Sequence, residues 1–201
     1  MRKLLLATTN RGKAAEYRSL LQGLDFEPVT LDQAGISREA EENYSTFEEN
    51  ARSKAVFYAT LSGLLTLADD SGLEVDALGG EPGVRSSRYA GEGASDSARV
   101  NFLLNKLKDI PWEKRQARFR CVIAIADPHG NVELADGECN GCIALEPRGV
   151  NGFGYDPVFY VPEYGKTIAE LPPELKNEIS HRGRAAKKAR TILERLFARY
   201  H

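Results

Sequence analysis

The chain is poor in cysteine, with three in 201 residues. Cys121, Cys139 and Cys142 are an odd set, with no spacing for a secreted framework, so a disulfide-stapled scaffold is excluded and a reducing compartment expected. Cys139 and Cys142 form a CxxC, but there is no second pair and the nearest histidine, His129, lies upstream. A zinc site would lack half its ligands, and the pair is read as a structural bystander. No apolar run approaches the roughly 18 residues of a membrane span. The apolar stretch within residues 1–9 is short for a signal peptide and has no small-residue cleavage site. A cytoplasmic protein with no membrane partner is expected. An excess of one charge is also missing: 27 Lys+Arg stand against 29 Asp+Glu, a formal net charge of -2. That argues against a stable nucleic-acid complex made over the whole surface. Repeats and low-complexity segments are absent, as are the GxGxxG of dinucleotide binders, the Walker A spacing and the GxSxG nucleophile elbow. Adjacent Ser180 and His181 make no sensible triad pair.

What is present is an ordinary globular balance, 42% hydrophobic and 28% charged. The length suits one domain, or two small lobes, with a core that needs no staple. An apolar strand over 3–8, a helix over 12–24 and a strand over 26–31 open an α/β layered domain. Thr46 with Glu49 predicts a capping box for a helix over 47–61, whose polar side carries Asn50 and Lys54 at i and i+4. Strands are expected at 64–68 and 73–78, a helix at 95–107, and two long antiparallel strands at 117–126 and 131–142 around Asp127-Pro128-His129-Gly130. After a loop-rich stretch to about residue 162, helical character returns at 169–171 and 174–179. A last helix is expected over 184–200, with Ala185, Ala189, Ile192, Leu193, Leu196 and Tyr200 on one face. The expected whole is residues 1–201 as two lobes woven from one chain, with a cleft between them.

Four segments carry candidate chemistry. Thr8, Thr9, Asn10, Arg11, Gly12 and Lys13 follow the first strand; they read as a small anion cradle at a helix start or as a plain capped helix. Asp69 and Asp70, with the acids between Glu39 and Glu49, suit a hard divalent cation, or an acidic edge that aids solubility. The two acids end a predicted strand, and ligands of open α/β sheets bind beyond such ends. Asn151, Gly152, Phe153, Gly154, Tyr155 and Asp156 can stack on a base and read its edge, or form a tight turn whose aromatics fill the core. Ser180-His181-Arg182-Gly183, with Lys176 upstream, opens a strongly basic C-terminal segment whose bland reading is a solvated helix face.

Taken together these segments resemble the Ham1-like inosine/xanthosine triphosphate pyrophosphatase family. The matching stretches are Ala7-Thr8-Thr9-Asn10-Arg11-Gly12-Lys13, Glu49-Asn50-Ala51 with Lys54, and Ala68-Asp69-Asp70-Ser71-Gly72-Leu73 continuing to Arg88-Tyr89-Ala90-Gly91. Later come Gly152-Phe153-Gly154-Tyr155-Asp156-Pro157 and Ile179-Ser180-His181-Arg182-Gly183. The resemblance implies a two-lobed mixed-sheet α/β fold with a central cleft, a homodimer and a magnesium-dependent reaction. It implies hydrolysis of XTP, ITP or dITP to the nucleoside monophosphate and pyrophosphate. On that basis Thr8, Thr9, Asn10 and Lys13 hold the triphosphate with Lys54 and Ser71 nearby, and Glu42 and Asp70 hold the metal. Asp70 and Lys13 serve the chemistry. Phe153, Gly154, Tyr155, Asp156, Lys176, His181 and Arg182 surround base and phosphates. Glu42-Asn43-Tyr44-Ser45 departs from the family, where a small Thr-Gly pair usually follows the acid. A Maf-like nucleotide pyrophosphatase and a non-catalytic nucleotide- or nucleic-acid-binding module are the alternatives. An oxidoreductase is weakened by the missing Rossmann glycines.

Overall fold

The computed structural model describes residues 2–198. Its spine is a seven-stranded mixed sheet in the order β2-β1-β3-β4-β5-β6-β7. β1 (Arg2–Leu6) pairs in parallel with β2 (Phe26–Thr30) and with β3 (Leu65–Val75). β6 (Phe159–Val161) runs antiparallel to β5 (Val132–Ile143) and to β7 (Lys166–Thr167). β4 (Gln116–Ala126) lies beside β5, joined to it by a turn in which the Asp127 carboxylate accepts the N–H groups of His129 and Asn131. The helices are α1 (Arg11–Leu20), α2 (Phe47–Ser62), α3 (Asp96–Lys106), α4 (Pro173–Ile179) and α5 (His181–Ala198). No helix among the described residues is long and apolar enough to cross a membrane.

The chain forms two compact units. One comprises everything up to Asp70, Cys121–Gly137, and the chain from Arg182 on; the other comprises Ser71–Arg120 and Glu138–His181. Each has its own core. In the first, Leu4, Leu6, Phe26, Leu67, Ile123 and Ile125 meet α1 through Tyr17 and α5 through Ala185, Ala186, Ala189 and Leu193. Small residues on α5 let its backbone approach the sheet. In the second, Leu73, Val75, Leu103, Phe119, Ile143 and Phe159 dominate, each side chain contributing roughly 1.5–3 kcal/mol by burial. There Arg115 is buried, yet its guanidinium donates to the carbonyls of Leu107, Ile110 and Ala144, so the charge stays satisfied.

Several expectations need correction. The two strands predicted at 64–68 and 73–78 are one strand: β3 runs unbroken through Asp69-Asp70-Ser71-Gly72, and Asp76–Leu78 is a 3₁₀ turn. The acids therefore sit within a strand and not at its end. α1 ends at Leu20, short of the expected 24, because Leu21 caps it and a turn follows. α5 starts at His181 and not at 184. The short strands β6 and β7 occupy stretches for which no strand was expected. Tyr200 lies outside the described residues. The α2 cap is close to expectation, with Thr46 accepting the Glu49 N–H, but the Glu49 carboxylate takes the Thr46 hydroxyl.

Candidate active site

The first unit gathers a charged cluster at the N-terminus of α1. β1 stops at Leu6, and Thr8 and Asn10 shape the turn into the helix. Thr8 Oγ1 accepts the Asn10 N–H at 3.1 Å, and Asn10 Oδ1 caps the helix by accepting the Lys13 N–H at 3.1 Å. No acid lies in the first turn, so the positive end of the helix is left for an anion. Thr9 is exposed beside it. Lys13 Nζ reaches Asp69 Oδ2 at 2.9 Å. Asp69 is 1% exposed and also faces Arg182 Nε at 3.9 Å and the Cys121 thiol at 3.9 Å. Burial by itself would raise its pKa, but Lys13, then Arg182 and Lys54, outweigh burial and hold the carboxyl well below the usual range.

Asp70 behaves oppositely. Burial is the main cause pushing its carboxyl up to about 6; Lys54 and Lys13 pull it down, and Glu42 and Asp69 add repulsion. The adjacent acids are thus electrostatically separated: the cations hold Asp69 as an anion, while burial favours the protonated form of Asp70. Lys54 is buried on α2 and ion-paired with Glu42. Burial lowers its pKa, but Glu42 and Asp69 more than offset this and the ammonium is kept. The Glu42 loop, whose shape the sequence left open, is tied to α2. Asn50 Oδ1 accepts the Tyr44 N–H and Asn50 Nδ2 donates to the Tyr44 carbonyl, at 3.1 and 3.2 Å. The Tyr58 hydroxyl accepts the Ala40 N–H.

Arg182 sits in the first turn of α5, where the helix dipole disfavours a cation. Burial opposes its charge too, but Glu16, with Oε2 at 2.5 Å from Nη1, leads the groups that keep it protonated. The Tyr17 hydroxyl lies 3.7 Å from Cys121 Sγ. Burial, reinforced by Asp69, pushes that thiol up to about 12, so it is no nucleophile.

The second unit gathers the aromatic loop. Asp156 Oδ2 accepts the Phe153 N–H at 2.9 Å and the Lys176 ammonium at 2.6 Å. Lys176 Nζ also lies 4.8 Å from the centre of the Phe153 ring. Gly152 has φ +78°, and a Cβ there would strain the turn and collide with the Asp156 carboxylate, displacing it from the Phe153 N–H and Lys176. Phe153 is half-buried. Tyr155, also expected beside the ligand, belongs to the core of this unit, its hydroxyl donating to the Ser86 carbonyl at 2.9 Å. The His181 ring stacks on Phe119, centroids 4.6 Å apart and planes 14° from parallel. Ser71 follows Asp70 on β3 and is half-buried.

The expected site residues therefore fall into two sets. Thr8, Thr9, Asn10, Lys13, Glu42, Lys54, Asp70 and Arg182 belong to the first unit; Ser71, Phe153, Gly154, Tyr155, Asp156, Lys176 and His181 belong to the second. Sequence reasoning missed Glu16, Tyr17 and Cys121 behind the first set and Ser86 and Asp96 behind the second. Glu16, one helical turn from Lys13, was the one visible signal, and helix-face acids are usually solvated.

Cys139 is buried and Cys142 half-buried, both within β5. Residues three apart on a strand face opposite sides, so the two thiols are not arranged to share a ligand. No cluster of three or more His, Cys, Asp or Glu suited to a metal occurs among the described residues. The double variant Cys139→Ser/Cys142→Ser is expected to keep wild-type kcat within about twofold; abolished turnover in a folded variant would refute the bystander reading.

Residues 4–192 match the model of the Ham1 family. The chain is 53% identical over 195 residues to a dITP/XTP pyrophosphatase of Desulforamulus reducens, covering 97% of each chain. It is 52% identical over 185 residues to a dITP/XTP pyrophosphatase of Geobacter sulfurreducens, covering 92% of this chain and 93% of the relative. The solved HAM1 protein from Coxiella burnetii superposes with TM-score 0.88 at 44% identity, covering 97% of this chain and 100% of that one. The Staphylococcus aureus Ham1 protein gives 0.86 at 41%, covering 96% and 98%. With the motifs standing in family order along nearly the whole chain, this protein belongs to the Ham1 family.

Proposed function

We infer that the protein hydrolyses non-canonical purine nucleoside triphosphates (XTP, ITP and dITP) to the monophosphate and pyrophosphate, and so cleanses the nucleotide pool. The observation that carries this is the electrostatic division between Asp69 and Asp70. In the metal-free protein burial pushes the Asp70 carboxyl up to about 6, and it lies among cations that suit a triphosphate. In this reading the α1 N-terminus, Asn10, Lys13, Lys54 and Arg182 take the phosphates, with Thr8, Thr9 and Ser71 at the margin. Phe153 stacks on the base. Asp70 accepts the proton of a water that attacks the α-phosphorus; the bond from that phosphorus to the bridging oxygen breaks, and pyrophosphate leaves. Lys13 and Arg182 stabilise oxygens that gain charge in the transition state.

Magnesium is part of the same proposal. Glu42 and Asp70 are hard oxygen donors, and Glu42 lies close enough to help raise the pKa of Asp70. Magnesium is commonly held by one or two carboxylates, with water and substrate phosphates completing its shell, so the donor set fits. When bound it supplies charge neutralisation for the triphosphate. We also take the protein as a cytoplasmic homodimer. Free cysteines support the reducing setting, and exposed Leu145 and Val150 offer apolar surface to a second copy.

Incubation with Mg²⁺ and a panel of NTPs, with pyrophosphate and orthophosphate measured separately, tests the reaction. Pyrophosphate is expected as the sole phosphate product. In ¹⁸O-water the label is expected in the monophosphate; label in pyrophosphate would move the attack to the β-phosphorus.

A further inference from the structure

Asp96 opens α3 directly after the N-cap Ser95. An acid there is ordinarily explained by the helix dipole, but this carboxylate is also used elsewhere. Oδ2 accepts the Gly154 N–H at 2.6 Å, and the other oxygen pairs with Arg99. The Arg99 guanidinium is itself fixed, donating to the carbonyls of Ser87 and Ala94 at 2.9 and 2.6 Å. The Ser86 carbonyl, next along, accepts the Tyr155 hydroxyl, and the Ser86 hydroxyl donates to Gly83 O and accepts the Leu73 N–H. Both residues after Phe153 are thus tied to one braced corner of the second unit.

Phe153 stands between Gly152 and Gly154, whose φ values of +78° and +63° lie where glycine has its freedom. A ring carried on such a hinge is placed by the hydrogen bonds around it. Asp156 holds the Phe153 N–H from one side. On the other side the bond from Asp96 is charge-assisted and comes from a separate helix. We propose that Asp96 is a positioning residue for purine stacking: through Gly154 it fixes the Phe153 ring at the height a base requires. This rests on the assignment of Phe153 to the base.

The test is a double-mutant cycle on the full-length enzyme, with Gly154 amide exchange read in parallel. Asp96→Ala is expected to raise KM for ITP and for XTP about tenfold, with kcat within about twofold, and to speed exchange at Gly154. Asp96→Asn keeps an oxygen for the N–H and restores most of the loss. Asp96→Glu keeps the first-turn acid and the charge for Arg99 but displaces the acceptor, so it gives a smaller rise and serves if the alanine variant is unstable. On a Phe153→Ala background, Asp96→Ala adds nothing to KM. An unchanged KM in Asp96→Ala, or effects that simply add, overturns the proposal while Phe153→Ala still raises KM. If Phe153→Ala itself leaves KM unchanged, the stacking assignment falls and this inference falls with it.

Discussion

Asp70→Asn is expected to cut kcat by about 10²–10⁴, the range for a positioned acid–base group, while leaving the fold intact. Asparagine keeps the size and one acceptor oxygen but cannot take a proton. A loss of only about twofold, with native circular dichroism, would rule the role out. The same substitution carries a second expectation of opposite sign. Burial raises the folded-state pKa of Asp70 to about 6, whereas an unfolded aspartate releases its proton near about 4. Between these values the folded chain binds more protons, so stability falls as pH rises. Above pH 6 the ionised side chain costs on the order of 3 kcal/mol relative to its protonated form. Asparagine avoids that cost. In metal-free protein the Tm of Asp70→Asn should therefore exceed wild type at pH 7–8, with the gap closing as pH falls from 6 to 4. A residue that destabilises the fold yet carries the rate is what a functional site requires. Equal Tm curves across that range would show that Asp70 is not held near 6.

The elements legible in the sequence were those whose signals are local. The α2 start is written in Thr46 and Glu49, and the α5 face in the spacing of Ala185, Ala189 and Leu193. β3 was misread because adjacent acids and a glycine are poor strand formers. The fold overrides that propensity by supplying Lys13 and Arg182, distant in sequence, to neutralise Asp69. The last helix was expected from 184, yet α5 begins at His181 and runs through Gly183. β6 and β7 are too short to show a period. At the candidate site the residue types and their order were visible, but the pairings were not. Nothing local says that Lys176 closes on Asp156, or that an acid at the start of α3 holds Gly154. Tyr155 and Phe153 look alike in sequence; burial alone separates a core residue from a ring available to a ligand.

Those pairings sharpen the second large effect, a preference of about 10²–10⁴ in kcat/KM for ITP over ATP. A 6-keto purine presents an acceptor at O6 and a donor at N1; adenine presents the reverse. Arg182, paired with Glu16 and facing Asp69, is assigned to the phosphates, which leaves Lys176 and His181 as the proposed donors to position 6. The Lys176 ammonium donates to Asp156 Oδ2 and lies over the Phe153 ring, which places it beside the proposed base. Asp156 in turn is engaged by Lys176 and by the Phe153 N–H, so its first task is to orient both, and a backbone carbonyl is the better acceptor for N1–H. Facing adenine, the ammonium meets another donor and the carbonyl another acceptor, and each unmatched group costs roughly 1–3 kcal/mol. The ring of Phe153 is blind to this pattern. Phe153→Ala should therefore lower kcat/KM for ITP and ATP in parallel and leave their ratio within about threefold of wild type. GTP shares the O6 and N1 edge with ITP, so its rejection must come from the 2-amino group and lies outside this argument. XTP, with a keto group at C2, should be accepted. The measurement is kcat/KM for ITP, XTP and ATP under one set of conditions, in wild type and in Phe153→Ala. Equal wild-type values for ITP and ATP would remove the edge-reading mechanism and leave the pyrophosphatase reaction standing. A loss confined to ITP in the variant would mean that Phe153 does something other than stack.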